Sequence, residues 1–316
     1  MGRRRKSGRA VNGWIILDKP VGMTSTSAVA FVKRVLNAQK AGHAGTLDPL
    51  ASGCLPIALG EATKTVTFVM DGRKVYRFTA RWGAETETDD TEGEITATSE
   101  IRPDAASIGA ILNEFTGTIS QVPPAYSAIK IAGERAYDLA RSGEQVVLDA
   151  RDIIIHRLEL VDCPDADTAI FEAECGKGTY VRALARDMGR RLGTRAHVTA
   201  LRRMVVGPFD ETVMVSPEDL EKLAEAGPEK ADCSLQPIEA GLYRIPSFQF
   251  SERDTARIRS GQAVLLRGRD APVTEGAAYA VCGGIPVAIG EIDQGSFNPK
   301  RVFNLNENRA PAPPVD

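Results

Sequence analysis

Gly42-His43-Ala44-Gly45-Thr46-Leu47-Asp48-Pro49-Leu50-Ala51-Ser52-Gly53 sets a single carboxylate among three glycines, a proline and small apolar residues. Pro49 fixes its own φ and pushes Asp48 out of the helical region, so the carboxylate stands on a non-helical loop. An aspartate before proline commonly opens a solvated turn. Leu47, Leu50 and Leu55 argue against that here, because a solvated turn needs no apolar neighbours. A carboxylate drawn out of water calls for a cation.

The string closely resembles the motif that carries the catalytic aspartate in the TruB family of tRNA pseudouridine-55 synthases. Upstream, Gly13-Trp14-Ile15-Ile16-Leu17-Asp18-Lys19-Pro20-Val21-Gly22-Met23-Thr24-Ser25 is similar to the family's opening strand and KPxGxTS signature. Downstream come Pro123-Pro124-Ala125-Tyr126-Ser127-Ala128-Ile129-Lys130, then Gly176-Lys177-Gly178-Thr179-Tyr180-Val181-Arg182, then His197-Val198-Thr199-Ala200-Leu201-Arg202-Arg203. Several motifs in one order, over roughly residues 13 to 215, are more specific than any one of them.

The chain has 316 residues, enough for one large domain and a small one. It has no apolar run of membrane-spanning length and no signal-peptide core, so the cytoplasm is the expected compartment. Five cysteines without CxxC spacing argue against a disulfide framework and a zinc site, and no metal is expected. Lys64-Thr65 follows Gly60, but a phosphate loop needs glycine directly before the lysine, where Thr63 stands. ATP or GTP hydrolysis is therefore unsupported.

The net charge of −3 is low for a nucleic-acid binder, yet binding follows local patches. The charges look segregated. Glu85, Glu87, Asp89, Asp90, Glu92 and Glu94 form one cluster; Arg182, Arg186, Arg190, Arg191, Arg195, Arg202 and Arg203 crowd another, the expected phosphate footprint.

Residues 1–11 read as a disordered basic tail, residues 12–240 as the catalytic domain, 244–307 as a small β module and 308–316 as a disordered end. Ser25 or Thr26 is expected to cap a helix carrying Val29, Val32, Val35 and Leu36. Residues 54–59 read as a buried strand. Lys74–Trp82 alternates so that Tyr76, Phe78, Ala80 and Trp82 share one strand face. Helices are expected over 104–115 and 134–141, strands over 151–161 and 168–175, and a further helix ending near Leu192. Arg182 falls in the first turn of that helix, where a cation opposes the helix dipole, so it should meet an anion; Asp48 is the natural partner. His197–Val206 reads as a strand with Leu201 and Val205 on one side. Ser216-Pro217-Glu218-Asp219 is a helix start. Around 228–243 the pattern loosens, which places the domain boundary there.

The resemblance implies an α+β fold, with a mixed, mainly antiparallel sheet and a C-terminal PUA-like barrel ending near Asn298-Pro299-Lys300-Arg301-Val302-Phe303. It implies conversion of uridine 55 in the T arm of tRNA to pseudouridine, with no cofactor, no membrane and no obligatory protein partner, by a monomer. The base must leave the stack to be reached. Asp48, Tyr76 and Arg182 would be catalytic. His43 would fill the vacated stack, Tyr76 would stack on the base, and Tyr180 and Leu201 would line the uracil pocket. Lys19, Lys64, Lys130, Arg190, Arg191 and Arg202 are the weaker candidates for the RNA backbone, and a flexible insertion near 123–150 would close over the RNA. A noncatalytic tRNA-binding or folding module and a guide-RNA-dependent pseudouridylase are the rival readings.

Overall fold

In the computed structural model, residues 8–127, 130–131, 134–135, 148–266 and 275–305 are described. The chain opens with β1 (Gly13–Lys19), α1 (Ser25–Val35), β2 (Ala41–His43), β3 (Ala51–Leu59), α2 (Val66–Met70) and β4 (Lys74–Trp82). It continues through β5 (Ala84–Thr86), β6 (Ile95–Thr98), α3 (Ala105–Ile111), β7 (Gly117–Gln121), β8 (Lys130–Ile131) and β9 (Glu134–Arg135). Next come β10 (Arg151–Asp162), β11 (Thr168–Cys175), α4 (Val181–Arg191), β12 (Ala196–Val206), β13 (Met214–Val215), α5 (Pro217–Glu225) and α6 (Pro228–Asp232). The last elements are β14 (Ser247–Gln249), α7 (Glu252–Arg259), β15 (Val264–Leu265), β16 (Gly276–Cys282), β17 (Ile285–Asp293) and β18 (Ser296–Val302).

The large sheet runs β13-β1-β3-β12-β4-β11-β10-β7, with β2 also on β3. Only β1–β13 and β3–β12 are parallel among its pairs, so the sheet is mixed and mainly antiparallel as expected. The apolar run of β1 is buried on both faces, which is why it does not alternate in polarity. Ile15 and Leu17 join the main core with Val32 of α1 and Leu184 of α4; Trp14 and Ile16 join a second core on the opposite face. On β4, Phe78, Ala80 and Trp82 are buried and Tyr76 half-buried, while Arg77 and Arg81 are exposed.

Several expectations are corrected. The N-cap of α1 is Thr24, whose side chain accepts from the Ser27 amide; Ser25 is drawn inward by another partner. The buried strand at 54–59 begins earlier, at Ala51, so Asp48 sits three residues before its start. Glu134 and Arg135 pair as a strand with Lys130 and Ile131, not as a helix, and residues 136–141 of that expected helix lie outside the described ones. So do the ends at 1–7 and 306–316 and most of the expected insertion. Residues 8–11 are packed: Arg9 pairs with Asp232 at 2.7 Å and Val11 is buried. On β12 a register shift between Arg203 and Val205 puts Val205 opposite Val75 after Arg203 stands opposite Tyr76. Leu201 and Arg203 therefore share a face that Val205 does not, because a one-residue bulge reverses side-chain parity.

The C-terminal sheet runs β14-β16-β17-β18-β15 over its own core of Ile258, Val264, Val287 and Phe297, a half-barrel that fits the PUA-like module. It is not loosely hung. Ile289 and Phe303 enter the second core with Trp14, Ile16, Val69 and Leu242, so the segment around 228–243 is packed rather than slack. Lys64 Nζ donates to the Val302 carbonyl at 2.7 Å, and the Asn304 amide donates to Glu61 at 2.7 Å. Deleting residues from 244 onward is expected to lower the melting temperature of the remaining chain, since burying each of Ile289 and Phe303 contributes about 1.5–3 kcal/mol. An unchanged melt would show that the two units are independent.

Candidate active site

Asp48 stands on a loop fixed from three sides. The Ser25 hydroxyl of α1 donates to the Leu47 carbonyl at 2.9 Å and accepts from the Leu47 amide at 2.8 Å. Lys19 Nζ, fully buried, donates to the carbonyls of Pro20 (2.9 Å), Met23 (2.7 Å) and Pro49 (3.5 Å). Burial brings Lys19 down to about 8, against the pull of Asp48. From β12, Arg203 donates to the carbonyls of Gly45, Thr46 and Cys54 at 3.1, 3.2 and 2.8 Å.

The Asp48 carboxylate so held meets Arg182, at the start of α4, with Oδ2 2.9 Å from Nε. Asp48 keeps 37% of its side chain exposed whereas Arg182 keeps 6%, so the pair is open on the acid's side only. The rest of the guanidinium is spoken for. Nη1 donates to the Thr88 carbonyl at 2.6 Å and lies 3.4 Å from Asp90, and Nη2 donates to the Tyr126 carbonyl at 3.0 Å. Asp90, 2% exposed, accepts from the Glu92 amide at 2.9 Å and from the Thr88 hydroxyl. Arg182 thus sits between a buried carboxylate and an accessible one.

Tyr76 lies on β4 opposite Arg203. Burial pushes its phenol up, and the Arg203 charge is the largest opposing influence. Tyr180 precedes α4; its amide donates to Gln121 Oε1 at 2.9 Å and its carbonyl accepts from Gln121 Nε2 at 3.1 Å. Its phenol is pushed up by burial, with Asp48 among the charges that add to this. Leu201, buried, pairs with Ala51 just past the aspartate loop and with Phe78 of β4. His43 lies half-buried on β2, opposite Ile57, at the head of the loop. Beside the loop a cleft of about 300 Å³ is lined by Val21, Leu50, Phe78, Ile170 and Leu201 among others.

The expected segregation of charge is corrected. The acids and arginines, remote in sequence, are paired in space. Arg190 forks onto Glu85 at 2.9 and 2.7 Å, and Arg195 meets the same carboxylate at 3.1 Å. Burial would raise Glu85, but the hydrogen bonds and charges of Arg190 and Arg195 prevail and hold it below the usual carboxylate range. Arg186 meets Asp89 at 2.9 Å, and Arg191 forks onto Glu114 at 2.6 Å on both arms. Arg202 forks onto Asp18 at 2.9 and 3.0 Å and reaches Glu211. Of the backbone candidates, Lys19 is a loop anchor and Lys64 braces the C-terminal sheet, while the Lys130 side chain lies outside the described residues. Changing Arg190 or Arg191 to Gln is accordingly expected to flatten the log Kd–log salt slope for RNA by less than the roughly 0.7 per lost phosphate contact. A full step in the titration would restore these arginines to the footprint.

Asp90 and Ser25 were not among the expected site residues, while Lys19 and Arg203, expected at the RNA backbone, are turned inward onto carbonyls of the aspartate loop. Ser25 belongs to a quoted motif, and Asp90 to the acidic cluster of residues 85–94.

A family model described as "TruB family pseudouridylate synthase (N terminal domain)" matches residues 33–181, and one described as "tRNA pseudouridylate synthase B C-terminal domain" matches residues 182–243. The tRNA pseudouridine synthase B of Bradyrhizobium diazoefficiens is 61% identical over 304 residues, covering 95% of this chain and 88% of its own. That of Agrobacterium fabrum is 56% identical over 307 residues, covering 95% of this chain and 97% of its own. Among solved structures, a Cbf5–Nop10–Gar1 complex matches with a TM-score of 0.72 at 26% identity, covering 92% of this chain and 84% of the matched one.

Proposed function

The chain belongs to the TruB family of pseudouridylate synthases, and on that premise we propose that its target is the uridine at position 55, in the T arm of tRNA. It is an enzyme that isomerises uridine to pseudouridine in tRNA. The observation that carries the site assignment is the Asp48–Arg182 pair, in which only the carboxylate is open to a substrate.

The isomerisation breaks the bond from N1 to C1′, turns the base and joins C1′ to C5; C5 gives up its proton and N1 gains one. Atoms and electrons are conserved, so the chemistry asks for no cofactor. One carboxylate, used as nucleophile or base and regenerated at the end, suffices. Asp90 also touches Arg182 but is 2% exposed, which leaves Asp48 to meet the nucleotide. Arg182 holds Asp48 aimed, with Nε 2.9 Å from Oδ2.

A base folded into a loop is read after it is flipped out and stacked on an aromatic ring. In this reading Tyr76 stacks on the uracil, Tyr180 and Leu201 close its pocket, and His43 takes the place vacated in the RNA. In the same reading the enzyme works on tRNA in the cytoplasm as a monomer. No described helix is long and apolar enough to cross a membrane. The guide-RNA-dependent reading is weaker, because the relatives at 61% and 56% identity are named as tRNA pseudouridine synthases.

Incubating the purified protein with an unmodified tRNA transcript, in chelator and without nucleotide, is expected to give one pseudouridine, at position 55, by mass-resolved mapping. Product elsewhere would refute the position. Product only on adding a guide RNA would refute the mode of recognition.

A further inference from the structure

Six of the seven arginines between residues 182 and 203 meet a carboxylate. Arg203 meets none among the described ion pairs. It is 1% exposed, and its hydrogen bonds run to three backbone carbonyls. A buried cation without an anion is costly to keep, and a fold that needed only packing at this point would do better with an apolar side chain of similar volume.

Its placement shows what the charge is set against. On one edge of β12, Arg203 pairs with Gly53 of β3, and its guanidinium grips Gly45 and Thr46 before Asp48 and Cys54 after it. Gly45 adopts φ +98°, and a Cβ there would lie 3.5 Å from Arg203 Nη1. On the other edge Arg203 stands opposite Tyr76, on the same sheet face. The bulge that follows turns Val205 to the opposite face, so Arg203 is the last β12 residue before the reversal to share a face with Leu201.

We propose that Arg203 is a positioning residue of the active site, which locks the Asp48 loop and the Tyr76 phenol to one another so that carboxylate and phenol reach the same nucleotide. The proposal rests on the assignment of Asp48 as the reacting carboxylate and of Tyr76 as a catalytic residue that also stacks on the base. Its charge has a second effect, opposing the burial that raises the Tyr76 phenol; the other titratable groups bearing on that phenol are Cys175 of β11 and Asp48 itself.

The test uses the full-length protein with Arg203→Lys, which keeps a charge but loses the planar fork whose separate nitrogens reach the Gly45, Thr46 and Cys54 carbonyls, and Arg203→Met, which removes the charge. Single-turnover rate at saturating protein, affinity for the tRNA transcript and the pH–rate profile are measured for each. Both variants are expected to bind RNA within about threefold of the parent, because phosphate contacts are untouched. Both are expected to lose about 30-fold or more in rate, the scale of a misplacement near 1 Å. Arg203→Met should also move the pH profile upward, and that movement should vanish in a Tyr76→Phe background. A merely structural role would lower stability without moving the profile.

Rates within threefold of the parent, a loss confined to affinity, or a profile that does not move would overturn the proposal. Should neither variant fold cooperatively, the protein with Arg203 intact decides. Its Arg203 Nε–H resonance should exchange slowly and respond to Tyr76→Phe, and a fast-exchanging or unresponsive resonance overturns the proposal. Asp48→Asn is measured alongside: an active Asp48→Asn removes the functional assignment, whereas an inactive one beside unimpaired Arg203 variants removes only this inference.

Discussion

Asp48→Asn is expected to abolish pseudouridine formation while leaving affinity for tRNA within about tenfold, or roughly 1.4 kcal/mol. Asparagine preserves the shape of the side chain but offers no carboxylate to attack carbon or accept a proton. Losing such a group costs on the order of 10⁴-fold or more in enzymes whose chemistry turns on it. The fold should tolerate the change. Arg182 keeps Asp90 and the carbonyls of Thr88 and Tyr126, so no buried charge is orphaned. Asp48 is more than a third exposed, and ion pairs of that kind contribute at most about 1 kcal/mol after screening by solvent. Affinity should hold because phosphate contacts and base stacking do not use the carboxylate. Product at the parent rate would mean that another residue carries the reaction.

Arg182 should respond in the opposite proportion, with stability and rate falling together. Arg182→Met leaves Asp90 buried without its cation, and breaking a buried pair in this way costs about 3–5 kcal/mol. Arg182→Lys keeps one charge but loses the planar fork that reaches Asp48, Asp90, Thr88 and Tyr126 at once. A lysine that satisfies Asp90 leaves Asp48 unaimed, and the rate should fall about 100-fold with RNA affinity little changed. Urea titration and single-turnover kinetics separate the two effects. An Arg182→Met protein as stable as the parent would show that the buried carboxylate does not depend on this guanidinium.

Much of the site is legible along the chain. Arg182 announces a partner by standing in the first turn of a helix, and Asp48 announces itself by the glycines and leucines around it. Asp90 is different. It reaches Arg182 because the β5–β6 hairpin folds against β12, where the Val198 amide donates to the Asp89 carbonyl at 3.0 Å. Ion pairs between residues about a hundred positions apart leave no local trace, so acids and arginines look like separate patches when they are in fact each other's partners. The cap of α1 failed for a related reason: among four consecutive hydroxyl residues, Thr24 to Ser27, only the approach of Leu47 decides that Ser25 turns inward. The bulge after Arg203 is likewise set by pairing with β4, and strict alternation along β12 cannot show it.

The second core, which Ile289 and Phe303 share with Trp14 and Ile16, makes the C-terminal sheet continuous with the strands that carry the aspartate loop. The span between Asp48 and the C-terminal sheet is therefore built in, as in a calliper whose jaws have been welded. On the proposed reading, with the C-terminal sheet also meeting the RNA, a substrate that offers its uridine to one jaw would present a second segment at the other's fixed distance and angle. Selection among RNAs with similar loops would then fall to their overall shape.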